Sequence, residues 1–491
     1  MAEAYFLGID QGTTSCRSIV FSNTGRVLGV GQKEFTQHFP HPGWVEHDAQ
    51  EIWECQLATM REALATAGLE ASAIQAVGIT NQRETVVAWD GHSGIPLEKA
   101  IVWQDRRTAD LCHTLREEGL EPYIREKTGL VADAYFSGTK IHWLIHHSDR
   151  VRDAARSGRL RLGTIDSWLV WCMTAGAFHV TDVSNASRTL LFDINRLQWD
   201  PLLMQRMAVQ PQWLPRVVPS SGFVGMLHAD FLGKPIPITG LAGDQQAALY
   251  GHGAWEPGQA KNTFGTGCFL LMNTGTRPVP SRHGLLTTIA WQKGGVTNYA
   301  LEGSVFIAGA ALQWLRDGLQ ILDHASQSEA LASSLKDNDG VYFVPAFVGM
   351  GAPYWDMEAR GLITGITRGT TRAHLVRAAL ESMAYQTWEV LECMCKDRDA
   401  PLTAISVDGG ATANNFLMQF LADILRIPVK RPLMQEMTAW GAVCLAAEAI
   451  GHSISTNSDG ESIFEPRLDL RKAERLKTEW KQAVSRALSR K

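Results

Sequence analysis

The sequence has no long apolar run, little net charge and few cysteines, and each shortage excludes a class of protein. Its 46 basic and 51 acidic residues give a formal charge of −5, so electrostatics offers no reason to expect nucleic acid or an anionic membrane as a partner. No apolar stretch approaches the length of a membrane span, and residues 1–4 lack the basic segment of a secretory signal. The closest pair among the eight cysteines, Cys393 and Cys395, has a spacer too short for a zinc knuckle or a redox motif. We therefore expect a cytoplasmic protein with reduced thiols, without integral membrane association, that acts on small molecules.

The length of 491 residues predicts two or three domains, and the hydrophobic pattern predicts an α/β fold. Strand-like runs at 76–80 and 86–89 are followed by a helical stretch at 107–116, and this alternation continues along most of the chain. The turn-rich segment 254–259 has no hydrophobic periodicity. We therefore predict a first domain at 1–253, a second at 254–452, and a helical tail at 453–491.

A turn rich in glycine and hydroxyl residues follows the first apolar run. Residues 5–9 predict a buried strand that ends at Asp10, and residues 19–21 predict the returning strand. Gly12 lets the backbone turn so that its amides and three hydroxyl side chains converge, as a phosphate site requires: these are Thr13, Thr14 and Ser15. An ordinary hairpin with a polar turn fits this segment equally well. Because there is no lysine and no following helix, it is not a Walker loop.

The same pattern returns in the second half of the chain. Residues 260–264 predict a strand, Gly265 to Gly267 a tight turn around Thr266, and residues 268–273 the returning strand. A further strand, predicted at 402–408, ends in Asp408, Gly409 and Gly410 and runs into a helix that carries Asn414 and Asn415. The glycine turn at the start of this helix can therefore face a ligand.

Two acidic residues at strand ends suggest a division of labour. Asp10 is suited to hold Mg²⁺ through its water shell, because this ion prefers oxygen ligands and keeps several waters. Asp244 ends the strand predicted at 235–243 and is our candidate general base, although it could also be the N-cap of a helix that begins at Gln245. Arg83 and Glu84 could bind the hydroxyls of a small polyol, or form an exposed surface ion pair.

Several phrases together resemble the FGGY carbohydrate kinase family, within the superfamily of actin, sugar kinases and heat-shock ATPases. They are Gly43 to Asp48, Gly78 to Thr85, Ala242 to Ala248 and Asn262 to Cys268, with the family signatures around 135–143 and 361–381. The resemblance implies two ribonuclease H-like (actin-like ATPase) domains with a nucleotide and substrate cleft between them. It implies ATP-dependent phosphorylation of glycerol to sn-glycerol 3-phosphate, with ATP and Mg²⁺, by a homodimer or homotetramer. Another polyol or a ketose is the alternative acceptor.

The resemblance also assigns residues to the two substrates. It implies that the acceptor is bound by Arg83, Glu84, Trp103, Tyr135, Asp244, Gln245 and Phe269, of which Trp103 and Phe269 taken alone would be packing aromatics. It implies that the nucleotide is bound by Thr13, Thr14, Ser15, Arg17, Thr266, Gly309, Gln313, Gly410 and Asn414. Asp10 would hold the metal through water, with Asp244 as a second candidate ligand. At Gly309 a Cβ could block the nucleotide; otherwise the glycine serves helix packing.

The end of the chain alternates basic and apolar residues. Leu468, Leu476, Trp480, Val484 and Leu488 are interleaved with lysines and arginines over residues 466–491. Acidic residues interrupt the basic face, which is short. We therefore expect a terminal helix docked by its apolar side rather than a nucleic-acid patch.

Overall fold

The computed structural model describes residues 3–454 and 460–489 of the chain. Its strands and helices alternate as the hydrophobic pattern predicts. The strands are β1 Tyr5–Gln11, β2 Ser15–Ser22, β3 Val27–Glu34, β4 Gln37–His38, β5 Glu46–His47, β6 Ile74–Asn81, β7 Val86–Asp90, β8 Ala100–Ile101, β9 Leu160–Thr164, β10 Val180–Asp182, β11 Phe192–Asp193, β12 Gln198–Trp199, β13 Arg216–Val218, β14 Ser221–Leu227, β15 Ile236–Gly243, β16 Ala260–Phe264, β17 Cys268–Gly275, β18 Leu286–Lys293, β19 Val296–Val305, β20 Tyr342–Val344, β21 Leu362–Thr364, β22 Ile405–Asp408, β23 Val429–Arg431 and β24 Ser462–Phe464.

The helices cover both halves of the chain and the tail. They are α1 Ala49–Ala67, α2 Ala109–Glu117, α3 Glu121–Thr128, α4 Ser137–His147, α5 Asp149–Arg156, α6 Ile165–Met173, α7 Val183–Ala186, α8 Pro201–Arg206, α9 Ala229–Leu232, α10 Asp244–Gly251, α11 Gly309–Asp317, α12 Gln327–Ser333, α13 Arg372–Arg398, α14 Asn415–Leu425, α15 Met437–Ala449 and α16 Leu470–Ala487. The fold is mixed α/β in two parts, as predicted.

One sheet of 13 strands runs through both parts, in the order β24-β23-β22-β16-β17-β19-β18-β14-β15-β6-β1-β2-β3. In the first half β1 pairs antiparallel with β2 and parallel with β6. In the second half β16 pairs antiparallel with β17 and parallel with β22. The two predicted hairpins are therefore present, and each lies beside a parallel strand in the same way. The halves meet where Ser221 of β14 pairs with Lys293 of β18.

Strand register brings the candidate residues of the first half to one edge of the sheet. Asp10 of β1 lies opposite Thr80 of β6, and Thr80 lies opposite Ala242 of β15. These three strands are parallel, so the segments that follow them leave at the same edge. Arg83 follows β6 and Asp244 follows β15, which places both beside the first hairpin.

Helix α15 ties the second half to the sheet of the first. A Cβ on Gly78 of β6 would lie 2.2 Å from the carbonyl oxygen of Ala442, and one on Gly240 of β15 would lie 2.5 Å from the same atom. Glycine at these two positions lets the helix backbone lie directly on the strands. The hairpin β1–β2 and the Asp244 segment are therefore held against an element that comes late in the chain.

Local boundaries differ in three places from the sequence prediction. The helix expected from Gln245 begins at Asp244, with Gly243 at its N-cap. The strand expected at 402–408 covers Ile405–Asp408, and residues 410–413 form a short 3-10 helix before α14. Asn414 does not lie within α14; it is the N-cap, where its side chain accepts a hydrogen bond from the amide of Leu417.

The tail packs as a helix on the second half. In α16 the buried side includes Leu476, Trp480 and Val484, as expected for a helix docked by its apolar face. Residues 455–459, 490 and 491 of the predicted tail lie outside the described residues. All eight cysteines are free thiols. Within 3–454 and 460–489, no helix combines the length and the apolar character that crossing a membrane would need.

Candidate active site

Arg83 is the centre of the acceptor residues predicted from the sequence. Its Nη1 and Nη2 atoms lie 2.7 and 2.9 Å from the two carboxylate oxygens of Glu302. Its Nε atom lies 3.2 Å from Asp244 Oδ1, and Nη2 lies 3.4 Å from the hydroxyl of Tyr135. The Arg83 and Glu84 side chains are 2% and 1% exposed, so the interpretation as a surface ion pair is wrong.

The backbone between β6 and β7 turns sharply at Glu84. This residue has φ of +62°, in the left-handed region that a non-glycine residue rarely adopts. The turn is closed by a hydrogen bond from the Thr85 amide to the Arg83 carbonyl, and the Ser137 hydroxyl donates to the Glu84 carbonyl at 3.0 Å. Such a conformation costs about 1–3 kcal/mol and persists only where the surroundings fix it. Here the left-handed backbone at Glu84 accompanies the burial of two adjacent charged side chains, Arg83 and Glu84, in one site.

Asp244 and Gln245 lie at the start of α10 beside this turn. Asp244 Oδ1 accepts a hydrogen bond from the Gln245 amide at 2.7 Å, and 30% of the Asp244 side chain is exposed. The Gln245 side-chain oxygen accepts from Lys261 Nζ, which also donates to Thr263 Oγ1 at 2.8 Å. Lys261 is fully buried, and burial lowers its pKa to about 8. Asp244 therefore keeps an accessible face while Gln245 is held in place.

Three predicted aromatic residues form one wall. The Trp103 ring lies edge-on to Tyr135 and Phe269, with ring centroids 5.6 and 6.2 Å apart. Trp103 and Phe269 are only partly buried, unlike ordinary core aromatics. The Trp103 indole N–H donates to Thr13 Oγ1 at 3.0 Å. This bond joins the predicted acceptor pocket to the first hairpin.

The second hairpin packs against the start of α11. The Gly309 amide donates to the Gly265 carbonyl at 3.0 Å, and the Ala308 amide donates to the Thr266 carbonyl at 2.8 Å. A Cβ on Gly309 would lie 2.6 Å from the Gly265 carbonyl oxygen, so glycine here permits the hairpin itself to approach. Thr266 is exposed at the tip, and Gln313 is exposed one turn further along α11.

The other predicted nucleotide residues differ in how free their side chains are. In the first hairpin Thr14 is exposed, and Thr13 and Ser15 are partly exposed, but Arg17 forms a 2.7 Å ion pair with Glu436. Gly410 faces open space, whereas Asn414 is occupied by the cap and by a 3.1 Å hydrogen bond to Ser328. Thr263 lies opposite Asp408, so the Gly409–Gly410 turn leaves beside the second hairpin.

Asp10 lies in a field of negative charge. Burial, together with the carboxylates of Asp244, Glu436 and Asp408, raises the pKa of Asp10 to about 7. Such a concentration of carboxylates suits a divalent cation. Within the described ranges, no three His, Cys, Asp or Glu side chains are grouped so as to hold a metal directly. The residues therefore fit Mg²⁺ held through water rather than in a protein cage.

The sequence analysis missed three charged residues of this site: Arg188, Lys261 and Glu302. Glu302 lies in the largely buried strand β19 and Lys261 in the largely buried strand β16. A charged residue inside a strand is rarely buried without a partner, so a charge within a predicted strand was the available signal for these two residues. Burial lowers the stability of the Glu302 carboxylate, but the guanidinium groups of Arg188 and Arg83 overcome this and hold its pKa well below the usual range.

Comparisons with known proteins identify the family of the chain. Residues 5–251 match the N-terminal domain model of the FGGY family of carbohydrate kinases, and residues 260–450 match the C-terminal domain model. Glycerol kinase 2 of Thermotoga maritima is 55% identical over 489 residues, covering 99% of both chains. Glycerol kinase of Halorhodospira halophila is 54% identical, covering 99% of this chain and 97% of its own length. The crystal structure of Plasmodium falciparum glycerol kinase with ADP superposes with a TM-score of 0.91 at 35% identity, covering 100% of this chain and 99% of that one.

Proposed function

Because this chain belongs to the FGGY family of carbohydrate kinases, we propose that it transfers the γ-phosphoryl group of ATP to glycerol, forming sn-glycerol 3-phosphate. The observation that carries the proposal is the Arg83 cluster, in which one buried guanidinium contacts both Asp244 and Tyr135. Full-length identity above 50% to glycerol kinases supports the choice of acceptor.

The acceptor residues suit a small uncharged polyol. Arg83 and Tyr135 offer N–H and O–H donors, Glu84 offers a carboxylate, and the rings of Trp103 and Phe269 cover the carbon chain. A pocket built from such buried polar groups rejects analogues that leave them unpaired. Asp244 takes the proton from the terminal hydroxyl of glycerol while the oxygen of that hydroxyl bonds to the γ-phosphorus. The bond between the γ-phosphorus and the β,γ-bridging oxygen breaks, and ADP is released.

The two hairpins are suited to hold the donor. Backbone amides and hydroxyls at Thr13 to Ser15 and at Thr266 would bind phosphate oxygens, and the Gly410 turn would face the adenosine. Asp10 would hold Mg²⁺ through water, with Asp244 as a second candidate. The ion, when bound, neutralises charge on the phosphates.

The direct test is release of ADP, followed in a coupled assay with and without acceptor. We expect turnover with glycerol to exceed the acceptor-free rate by at least about 100-fold, because effective kinases exclude water as acceptor. Xylitol, erythritol and xylulose should give kcat/KM at least about tenfold lower than glycerol. Greater turnover with one of these would move the assignment to another FGGY activity. Acceptor-independent hydrolysis at the full rate would contradict a transferase.

The quaternary structure and cellular location expected from the sequence remain predictions. The resemblance implies a homodimer or homotetramer, which the molecular mass in solution will test. A cytoplasmic location is expected from the composition and the free cysteines.

A further inference from the structure

Arg188 and Glu302 complete a closed ring of charges with Arg83 and Glu84. Arg188 Nε lies 2.7 Å from Glu84 Oε1, and Arg188 Nη2 lies 2.9 Å from Glu302 Oε1. Glu302 in turn binds both terminal nitrogens of Arg83, and Arg83 Nε lies 3.9 Å from Glu84. All four side chains are at most 2% exposed. The ring therefore contains two buried cations and two buried carboxylates.

Stability alone does not account for such a ring. Taking four charges out of water is costly, and well-packed apolar side chains of similar volume are often as stable or more stable. A charged ring does fix the direction of each member, since bidentate guanidinium–carboxylate pairs have a narrow range of geometry. The role of the ring is therefore better judged from those atoms of Arg83 and Glu84 that are not used in contacts between ring members.

Those atoms face the acceptor residues. Arg83 keeps Nε for Asp244 at 3.2 Å, and its Nη2 reaches the Tyr135 hydroxyl at 3.4 Å. Arg188 binds Oε1 of Glu84, and within the described part of the chain no side chain or backbone amide donates to Oε2. The ring thus leaves Nε and Nη2 of Arg83 directed at two acceptor residues, Asp244 and Tyr135, and leaves Oε2 of Glu84 without a protein donor.

We propose that Arg188 and Glu302 are positioning residues, which hold Arg83 and Glu84 in the orientation that a polyol requires; this inference rests on the proposed kinase function. Glu302 comes from the second half of the chain. Its strand β19 pairs with β17, where Leu271 lies opposite Glu302 and Phe269 lies opposite Ser304. The acceptor residues of the first half are therefore oriented by a strand, β19, that pairs with the second hairpin.

Removing the Glu302 charge has a specific consequence. Arg83 would be left with Asp244 and Glu84 as its nearby carboxylates, at 3.2 and 3.9 Å. If the Arg83 guanidinium turned toward the carboxylate of Asp244 or Glu84, it would occupy an oxygen that is proposed to bind the acceptor. Binding of glycerol should therefore weaken, whereas binding of ATP, which is proposed to take place at the two hairpins outside this ring, should not.

The experiment compares Glu302→Gln, Glu302→Asp and Arg188→Lys with the parent enzyme in the coupled assay, after thermal unfolding has shown that each is folded. We expect Glu302→Gln to raise KM for glycerol by about tenfold to a hundredfold, as loss of charge-assisted hydrogen bonds would. KM for ATP should stay within about twofold. Glu302→Asp keeps the charge but loses part of the bidentate geometry with Arg83, and Arg188→Lys keeps the charge but loses the planar group that bridges Glu84 and Glu302, so each should raise KM for glycerol by about three- to tenfold.

A matched control is Glu381→Gln, which breaks a buried pair of the second half, Arg377–Glu381 at 2.7 Å, away from the ring. Its KM for glycerol should stay within about twofold of the parent. The inference is overturned if folded Glu302→Gln keeps the parent KM for glycerol. It is also overturned if both KM values rise together, or if Glu381→Gln has the same effect.

Three further outcomes distinguish a failure of this inference from a failure of the proposed function. If Glu302→Gln does not fold, unchanged KM for glycerol in both Glu302→Asp and Arg188→Lys overturns the inference, and a selective rise supports it. If the parent prefers another polyol, the same ratios are measured with that polyol, and only the identity of the acceptor changes. If the parent shows no acceptor-dependent turnover, the proposed function fails, and this inference fails with it.

Discussion

Substitution of Asp244 by asparagine should separate catalysis from binding. Asp244 Oδ1 accepts a hydrogen bond from the Gln245 amide at 2.7 Å and lies 3.2 Å from Arg83 Nε. An asparagine oxygen in the same place can accept from both groups, so the ground-state geometry survives. Asparagine cannot take a proton from a hydroxyl.

The size of each effect follows from these contacts. Loss of charge assistance in hydrogen bonds at this position costs about 1 kcal/mol, so KM for glycerol should rise by about fivefold at most. Loss of a general base typically costs a factor of about 10² to 10⁴, so kcat should fall by at least about 100-fold. KM for ATP should change little, unless the carboxylate also contacts the metal.

The assay is ADP release at saturating ATP over a glycerol titration, for parent and Asp244→Asn from matched preparations. Asp48→Asn is the control, because Asp48 is also a partly exposed acid at a helix start, with Lys99 Nζ at 3.3 Å and the Gln50 amide at 2.9 Å. Its kcat should stay within about twofold of the parent. A kcat for Asp244→Asn above half the parent value would refute the assignment as base. A raised KM with unchanged kcat would make Asp244 a binding residue only.

Three further substitutions test separate parts of the site and fold. Gly309→Ala should raise KM for ATP by at least about tenfold, because the new Cβ would lie 2.6 Å from the Gly265 carbonyl oxygen and displace the second hairpin. Trp103→Phe keeps an aromatic ring but loses the 3.0 Å bond to Thr13, so KM for ATP should rise by about two- to tenfold in the same assay. Burial raises the pKa of Glu389 to about 7, so its ionisation should destabilise the fold as pH rises from about 4.5 through 7, by up to about 3 kcal/mol; Glu389→Gln should therefore gain more in Tm at pH 8 than at pH 5.

Each of these has a result that would contradict it. Normal ATP kinetics in folded Gly309→Ala would mean that the hairpin does not need its present distance from α11. A change in KM for glycerol alone in Trp103→Phe would place the effect in the acceptor pocket rather than in the hairpin. A Tm difference for Glu389→Gln that does not vary between pH 5 and 8 would show that the parent carboxyl ionises without penalty.

The parts of the site that sequence predicts well are those set by local chemistry. At 260–273 two apolar runs flank a Gly-Thr-Gly turn, and the strands β16 and β17 form on either side of it. The helix predicted from Gln245 begins one residue earlier, at Asp244. The prediction comes this close because the run of apolar residues before the helix ends at a glycine. Turn composition and alternation act over a few residues, so a single sequence contains them.

Burial and long-range pairing could not be predicted in the same way. Adjacent Arg83 and Glu84 are as consistent with a surface as with a core, and only the fold brings Glu302 to Arg83 from 219 residues away. The left-handed backbone of Glu84 has no sequence signal, since glutamate rarely adopts it. Arg17 was predicted as a phosphate contact, but its ion pair depends on α15, which packs back onto the first half.

The electrostatics of the cleft differ between its two ends, and this difference matches the two substrates. At the acceptor end the four ring charges cancel, leaving hydrogen-bonding edges without a strong net field, as an uncharged polyol needs. At the donor end Asp10 shares its surroundings with three further carboxylates and one cation, Arg17, and burial together with this excess of negative charge raises the pKa of Asp10 to about 7. A nucleotide polyphosphate alone would be repelled there, whereas one accompanied by a divalent cation would relieve that excess. The residues at the donor end therefore make ATP binding depend on a cation, whereas those at the acceptor end leave glycerol binding indifferent to it, and the two KM values should respond differently when the Mg²⁺ concentration is lowered.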